Sequence, residues 1–207
     1  FGERLLQALR GGSARTLSYG LHAGDIHCTR LDLTAAGLNM RVATPWGTGD
    51  LAAAPIGRFN AANLLACLGA LLASDVALDA ALEALSQVRP VDGRMQRLGG
   101  AGLPDVIVDF AHTPDALEKT LATLRDLTTG RLICVFGCGG GRDKGKRLLM
   151  GGIAASRADR AIVTSDNPRN EDPSAIVADI LEGMPPGQHV QLDRAEAIRQ
   201  AIADARP

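Results

Sequence analysis

Three polar segments whose residue types could do chemistry each follow a short apolar run. They are 109–114 (DFAHTP), 137–147 (GCGGGRDKGKR) and 166–169 (DNPR), which we call the aspartate loop, the glycine loop and the Asp-Asn-Pro-Arg segment. From Asp105 onward, strand-like and helix-like stretches alternate, which predicts a parallel sheet covered by helices. Ligands bind such sheets at the carboxyl ends of the strands, so we expect the three segments to converge there.

The glycine loop has the composition of an anion site. Residues 140–146 follow the phosphate-loop pattern G-x-x-x-x-G-K-[ST], but Arg147 stands where the magnesium-binding hydroxyl belongs. Glycines let the backbone approach an anion, and a helix that starts next favours negative charge. The loop has a single acidic residue, Asp143. Its cations are Arg142, Lys144, Lys146 and Arg147. We therefore predict a carboxylate or phosphate site, with a solvated basic turn as the alternative.

The Asp-Asn-Pro-Arg segment offers an acceptor, a mixed donor and acceptor, and a bidentate cation, with Pro168 fixing the backbone. A zwitterionic amino acid needs this mixture, because its ammonium group requires acceptors and its carboxylate suits arginine. An ordinary Asx turn beside a proline is the equally weighted alternative.

The aspartate loop places His112 three residues after Asp109, which suggests acid–base chemistry. No Ser or Cys nucleophile motif accompanies this pair, and a histidine at a strand end is more often a structural hydrogen-bonding residue. We assign no catalytic residue from these segments, and His112 stays a candidate.

Hydrophobic periodicity predicts the elements that position these segments. The predicted strands are 26–33, 38–44, 106–110, 132–136, 161–164 and 189–192. The predicted helices are 60–73, 78–87, 113–130, 148–158, 172–184 and 193–205. A break at Pro90–Gly93 predicts a boundary between domains 1–91 and 92–207. The fold class is α/β, and we expect the second domain to be a Rossmann-like, mostly parallel sheet with helices on both faces.

Composition excludes several classes of partner. The formal net charge of −1 gives no reason to expect nucleic acid or a membrane surface as partner. The most apolar stretch, 61–73, is shorter than the roughly 20 residues that a membrane span needs. None of the four cysteines forms a CxxC pair, which favours reduced thiols. We therefore expect a soluble cytoplasmic protein without membrane insertion.

Five motifs resemble those of the Mur ligases and occur in the family's order over essentially the whole chain. They are GRFNAANLLA at 57–66, GRM at 93–95, VDFAHTPDAL at 108–117, VFGCGG at 135–140 and DNPR at 166–169. Within the family, the match is to the enzymes that add 2,6-diaminopimelate. The sequence departs from the family pattern at Phe110, Gly141 and Leu148, where tyrosine, an acidic residue and proline are usual.

The resemblance implies an ATP- and Mg²⁺-dependent amide ligase of peptidoglycan precursor synthesis. ATP would activate a carboxylate of the UDP-N-acetylmuramoyl dipeptide as an acyl phosphate, and the amine of meso-diaminopimelate would displace phosphate. Residues 1–91 would end the central ATPase domain, and 92–207 would form most of the amino-acid domain. The phosphate loop and the magnesium ligands would precede Phe1, so this chain holds no metal ligand and we expect it to be inactive alone.

The resemblance also implies roles for particular residues. Those assigned to the nucleotide are Asn63, Arg94 and Asp109. Those assigned to diaminopimelate are Arg142, Asp166, Asn167, Pro168 and Arg169, with Arg169 pairing with the distal carboxylate. Two alternatives remain: another ligase of the superfamily, of folylpolyglutamate or cyanophycin type, and a non-catalytic anion-binding module. The Asp-Asn-Pro-Arg segment argues against the first.

Overall fold

The structure, a computed structural model, describes residues 2–9, 12–13, 16–100 and 102–206; Phe1 and Pro207 lie outside the described residues. The chain divides into two compact units, residues 1–90 and 91–207. None of the described helices is long and apolar enough to cross a membrane.

The first unit is a four-stranded sheet with helices. Its elements are α1 (Gly2–Leu9), β1 (Tyr19–Gly20), β2 (Ile26–Thr34), β3 (Gly37–Thr44), β4 (Gly47–Ala53), α2 (Arg58–Ala73) and α3 (Leu78–Ser86). The strand order is β1-β2-β3-β4, with β1 parallel to β2 and the other pairs antiparallel. Apolar side chains that alternate along β3 pack with Leu65 and Leu68 of α2 in one core. The predictions for β2, β3, α2 and α3 are confirmed, whereas β1 and β4 were not predicted.

The second unit contains the α/β sheet that the sequence predicts. Its elements are β5 (Gln96–Gly100), β6 (Leu103–Val108), α4 (Pro114–Leu127), β7 (Ile133–Phe136), α5 (Gly145–Arg157), β8 (Arg160–Val163), α6 (Pro173–Leu181), β9 (His189–Val190) and α7 (Arg194–Asp204). Strands β7, β8 and β9 form a parallel sheet in that order. Helices cover both faces: α4, α5 and α6 pack on one, and α7 packs on Ile162 from the other.

The strand predicted at 106–110 differs from the structure. Strand β6 ends at Val108 and pairs antiparallel with β5, in a hairpin separate from the β7-β8-β9 sheet. The reason is the glycine-rich turn, since Gly99, Gly100 and Gly102 all have positive φ and reverse the chain tightly.

Helix α4 begins as the sequence predicts, because Thr113 Oγ1 accepts a hydrogen bond from Ala116 N at 3.3 Å and Pro114 opens the helix. Replacing Thr113 by alanine should lower the free energy of unfolding by about 1 kcal/mol. Urea unfolding followed by circular dichroism measures this, and Thr113→Ser is the control because it keeps the hydroxyl. Equal losses in both variants would contradict the capping role.

Candidate functional site

The three polar segments converge in the second unit, as expected. Lys146 Nζ of the glycine loop donates to the carbonyl oxygen of His112 in the aspartate loop at 2.9 Å. Gly140 N donates to the carbonyl oxygen of Asn167 at 2.9 Å, and the guanidinium of Arg169 donates to the carbonyl oxygen of Gly140. The glycine loop therefore lies between the other two segments and is hydrogen-bonded to both.

The Asp-Asn-Pro-Arg segment forms a fixed turn. Asn167 Oδ1 accepts from Arg169 N at 3.2 Å, which is an Asx turn, and Arg169 has a φ of +50°. The Arg169 residue is exposed, and its hydrogen bond to Gly140 leaves other guanidinium donors for a ligand. Asp166 and Asn167 are also exposed, whereas Pro168 is half-buried. The segment therefore forms the Asx turn of the alternative interpretation and also exposes an arginine.

The glycines of the loop make room for this segment. A Cβ atom on Gly140 would lie 2.0 Å from the carbonyl oxygen of Pro168. Added to Gly139, it would lie 3.1 Å from Arg169 Nη1, and added to Gly141, 3.2 Å from Arg169 Cδ. From the sequence, we expected these glycines to let an anion approach the backbone. In the structure the neighbouring segment fills that space.

One predicted anion-binding cation has a structural role instead. Arg147 is fully buried; its Nη1 lies 2.8 Å from Asp179 Oδ2 and its Nη2 lies 2.9 Å from Glu171 Oε1. Helix α5 starts at Gly145, three residues before the predicted start, and this places Arg147 on the buried face with Met150. Lys144 Nζ also lies 3.5 Å from Glu171. The prediction of four available cations was therefore wrong for Arg147, while Arg142 stays exposed.

Glu171 and Asp179 are the residues that the sequence analysis missed. Hydrogen bonds from Arg147, and then from the backbone N of Gly141, lower the pKa of Glu171 from its ordinary 4.5 to about 2. The same pairing raises the pKa of Arg147. A usable signal was the i, i+3, i+7 spacing of Arg147, Met150 and Ala154, which places the arginine on the apolar face of a helix.

Asp109 uses both carboxylate oxygens within the protein. Oδ2 accepts from Met95 N at 2.9 Å, while Oδ1 accepts from Ala111 N at 2.9 Å and from Thr120 Oγ1 at 3.1 Å. The carboxylate thereby ties the residue after Arg94 to the end of β6. Its contact with a nucleotide stays a prediction.

Arg94, Phe110 and His112 form an exposed stack. The Arg94 guanidinium carbon lies 4.9 Å from the centre of the Phe110 ring, a cation–π contact. The rings of Phe110 and His112 meet edge to face at 5.4 Å. His112 Nδ1 lies 3.1 Å from the carbonyl oxygen of Phe110, so this nitrogen is engaged in the loop itself. Asp109 and His112 are therefore not paired as an acid–base dyad among the hydrogen bonds of the described residues.

Asn63 lies in the first unit, on the exposed side of α2. Its Nδ2 is 3.4 Å from Asn60 Oδ1, and Asn60 Nδ2 donates to the carbonyl oxygen of Ile56 at 2.8 Å. Asn60 thus stabilises the start of the helix, and the Asn63 amide is accessible. Across the described residues, no group of three or more His, Cys, Asp or Glu side chains could hold a metal ion.

The parallel strands β7 and β8 are followed by the exposed residues Arg142 and Arg169, and helices cover both faces of the sheet, so the second unit is an α/β domain with exposed cations after its strands. The chain belongs to the Mur ligase family, since the family description "Mur ligase, glutamate ligase domain" matches residues 93–207. It is similar to UDP-N-acetylmuramoyl-L-alanyl-D-glutamate–2,6-diaminopimelate ligase of Chromobacterium violaceum, at 52% identity over 100% of this chain and 42% of that protein. The enzyme of the same name from Xanthomonas oryzae is 60% identical over 72% of this chain and 31% of its own length.

Solved structures agree with the fold. A structure of a UDP-N-acetylmuramoyl-L-alanyl-D-glutamate–2,6-diaminopimelate ligase has a TM-score of 0.66 and 35% identity, covering 99% of this chain and 43% of that one. Folylpolyglutamate synthase of Mycobacterium tuberculosis has a TM-score of 0.78 at 22% identity, covering 98% of this chain and 45% of its own. That likeness shows the fold alone. The chain spans less than half the length of the relatives described here.

Proposed function

We propose that this chain supplies part of an ATP-dependent ligase that adds meso-diaminopimelate to UDP-N-acetylmuramoyl-L-alanyl-D-glutamate. The observation that carries the proposal is the 52% identity, across the whole chain, to a ligase of that name. Residues 1–91 then belong to the ATP-binding domain and 92–207 to the amino-acid domain. Four free cysteines accord with a cytoplasmic reaction in peptidoglycan precursor synthesis.

The reaction joins an amine to a carboxylate that ATP has activated as an acyl phosphate, and phosphate leaves. The residues of this chain hold and orient the reactants, which is the main form of catalysis in phosphoryl and acyl transfer of this kind. Arg142 and Arg169 would pair with carboxylates of diaminopimelate, and Asp166 and Asn167 would accept from its ammonium groups. Mg²⁺, when bound, would neutralise the charge of the phosphates.

Nucleotide binding falls to Asn63, Arg94 and Asp109 in this proposal. Asn63 offers an amide for the adenine, and Arg94 offers a guanidinium for the ribose or phosphates. The hydrogen bonds of Asp109 to Met95 N and Ala111 N give that carboxylate a second use, which is to hold the Arg94 backbone at the strand end.

A segment exchange tests the proposed function. The matching segment of the Chromobacterium violaceum ligase is replaced by this chain, and ATP-dependent incorporation of labelled meso-diaminopimelate into the nucleotide precursor is measured. We expect product, and ADP in equal amount. A chimera that unfolds at the temperature of the parent enzyme and binds ATP, but forms no product with diaminopimelate, would refute the proposal.

Replacing Arg94 by alanine in this ligase should lower kcat/KM for ATP roughly 10- to 100-fold, the equivalent of about 1.5–3 kcal/mol for charge-assisted hydrogen bonds. The KM for diaminopimelate should change little, because Arg94 is assigned to the nucleotide. Arg97→Ala is the matched control, since Arg97 lies in β5 and pairs with Asp105 at 2.8 Å. Equal effects of the two variants on ATP would contradict the assignment.

A further inference from the structure

Glu171 joins the glycine loop to the segment that carries Arg169. Its Oε1 accepts from the backbone N of Gly141 at 2.6 Å and from Arg147 Nη2 at 2.9 Å. Its Oε2 accepts from Arg147 Nη1 at 2.9 Å. One carboxylate thus accepts hydrogen bonds from a backbone atom next to Arg142 and from a fully buried arginine in the first turn of α5. We call these three hydrogen bonds the Glu171 grip.

The residues of this grip are close in sequence to the two exposed arginines. Gly141 directly precedes Arg142, and Glu171 follows Arg169 by two residues. The backbone N of Glu171 also donates to the carbonyl oxygen of Pro168 at 3.0 Å, which fixes the carboxylate relative to the turn. The separation of the Arg142 and Arg169 backbones is therefore set by Glu171 together with the hydrogen bond from Gly140 N to Asn167, although Glu171 itself need not touch a ligand.

We propose that Glu171, held by Arg147, is a positioning residue that sets the spacing of Arg142 and Arg169 for a substrate with two separated carboxylates. The inference rests on the proposed function, because it names a residue that serves the same amino-acid site. A charged pair is suited to this task since bidentate arginine–carboxylate contacts fix orientation as well as distance. The Arg147 side chain is fully buried and the Glu171 side chain is 21% exposed, so the arginine end of the pair is held inside the protein.

The grip should not act as a pH switch near neutrality. The folded-state pKa of Glu171 is lowered from 4.5 to about 2, first by Arg147 and then by Gly141 N. Its stabilising contribution is therefore complete above pH 4.5 and is lost only as the pH falls toward 2. Across the range in which a ligase is assayed, the carboxylate stays ionised and the spacing stays fixed.

Asp179 provides a matched control for this role. Its Oδ2 accepts from Arg147 Nη1 at 2.8 Å, but among the hydrogen bonds of the described residues it has none to the backbone of the glycine loop. Both acids pair with the same buried guanidinium, so a purely stabilising role predicts similar effects of Glu171→Gln and Asp179→Asn. A positioning role predicts that the two variants differ in substrate use.

The test measures steady-state kinetics of both variants in the complete ligase. For Glu171→Gln we expect the KM for diaminopimelate to rise at least about tenfold, with the KM for ATP within about twofold of the parent value. For Asp179→Asn we expect both constants to change less than about threefold, even if the melting temperature falls. Equal shifts in the KM for diaminopimelate would overturn the proposal. If Glu171→Gln does not fold, Glu171→Asp carries the same comparison, because it keeps the charge but shortens the reach to Gly141 N.

A second measurement separates this inference from the proposed function. Amide hydrogen exchange at Gly141 in the ligand-free chain does not depend on which amino acid is added. We expect exchange there to accelerate at least about tenfold in Glu171→Gln and to stay unchanged in Asp179→Asn. Unchanged exchange in Glu171→Gln would refute the grip itself. Faster exchange without use of diaminopimelate by the parent enzyme would refute the proposed function alone.

Discussion

Replacing Arg169 by alanine should raise the KM for meso-diaminopimelate about 100-fold and leave the KM for ATP within about twofold, since a bidentate charge-assisted contact is worth about 1.5–3 kcal/mol. Arg169 is exposed, and its side-chain hydrogen bond in the structure goes to the Gly140 carbonyl. Its remaining donors are therefore available to the distal carboxylate. Steady-state kinetics with each substrate varied in turn measures the effect.

Arg194→Ala is the matched control for this prediction. Arg194 also donates to a backbone carbonyl oxygen near the same strand ends, that of Ser165 at 3.3 Å, but the proposal gives it no contact with substrate. Arg169→Lys should recover only part of the loss, because an ammonium group cannot form the two parallel hydrogen bonds of a guanidinium. If Arg194→Ala raised the KM for diaminopimelate as much as Arg169→Ala, the loss would come from the fold and the assignment would fail.

The same arginine should decide between diaminopimelate and L-lysine, which lacks the distal carboxylate. A site that leaves a charged group unpaired with the wrong substrate discriminates by up to about 10⁴-fold. The parent ligase should prefer diaminopimelate by a factor of this order, and Arg169→Ala should narrow the preference to roughly 100-fold or less. A parent enzyme that preferred lysine would refute the substrate while leaving the ligase class intact.

The elements that have strong local sequence signals were predicted correctly. Helices α4, α6 and α7 each begin at a capping side chain, Thr113, Asp172 and Asp193, that accepts from a backbone N–H of its own first turn. The buried strand β7 is a continuous apolar run, and β8 is apolar after Arg160, which is typical of parallel sheets. Such signals depend on residues close in sequence, and a single chain displays them directly.

Features that depend on tertiary pairing escaped prediction. Strand β4 consists mostly of glycine and alanine, with little intrinsic preference for a strand, and its pairing with β3 determines its conformation. The first turn of α5 is glycine followed by cations, so the predicted helix began only where apolar residues resume, at Leu148. The partners of Arg147 lie 24 and 32 residues away, and no local pattern connects them. The exposed polar residues of the candidate site were therefore predictable from the sequence, but the framework that spaces them was not.

Because of that framework, we expect a substitution of Gly140 to have a large effect, although glycine is the smallest residue. A Cβ atom there would lie 2.0 Å from the carbonyl oxygen and 2.7 Å from the carbonyl carbon of Pro168, so one backbone must move. Neither can move freely, because Gly140 N donates to the Asn167 carbonyl and the Pro168 carbonyl accepts from Glu171 N. Gly140→Ala should therefore lower the free energy of unfolding by about 1–3 kcal/mol, as overpacking does.

The larger effect of Gly140→Ala should fall on catalysis. The displaced Pro168 carries Arg169 with it, and a misplacement of about 1 Å can cost about 100-fold in rate. We expect kcat/KM for diaminopimelate to fall at least about 100-fold in the complete ligase, with a much smaller change for ATP. Gly139→Ala is the matched control: neither glycine has a positive φ, and the atom nearest to a Cβ on Gly139 is the flexible guanidinium of Arg169, at 3.1 Å. The two substitutions remove the same conformational freedom, but only Gly140→Ala places its Cβ against the Pro168 backbone; the Cβ of Gly139→Ala meets the movable end of the Arg169 side chain. If both variants kept parent activity, the close approach of the two segments would have no role in binding the amino acid.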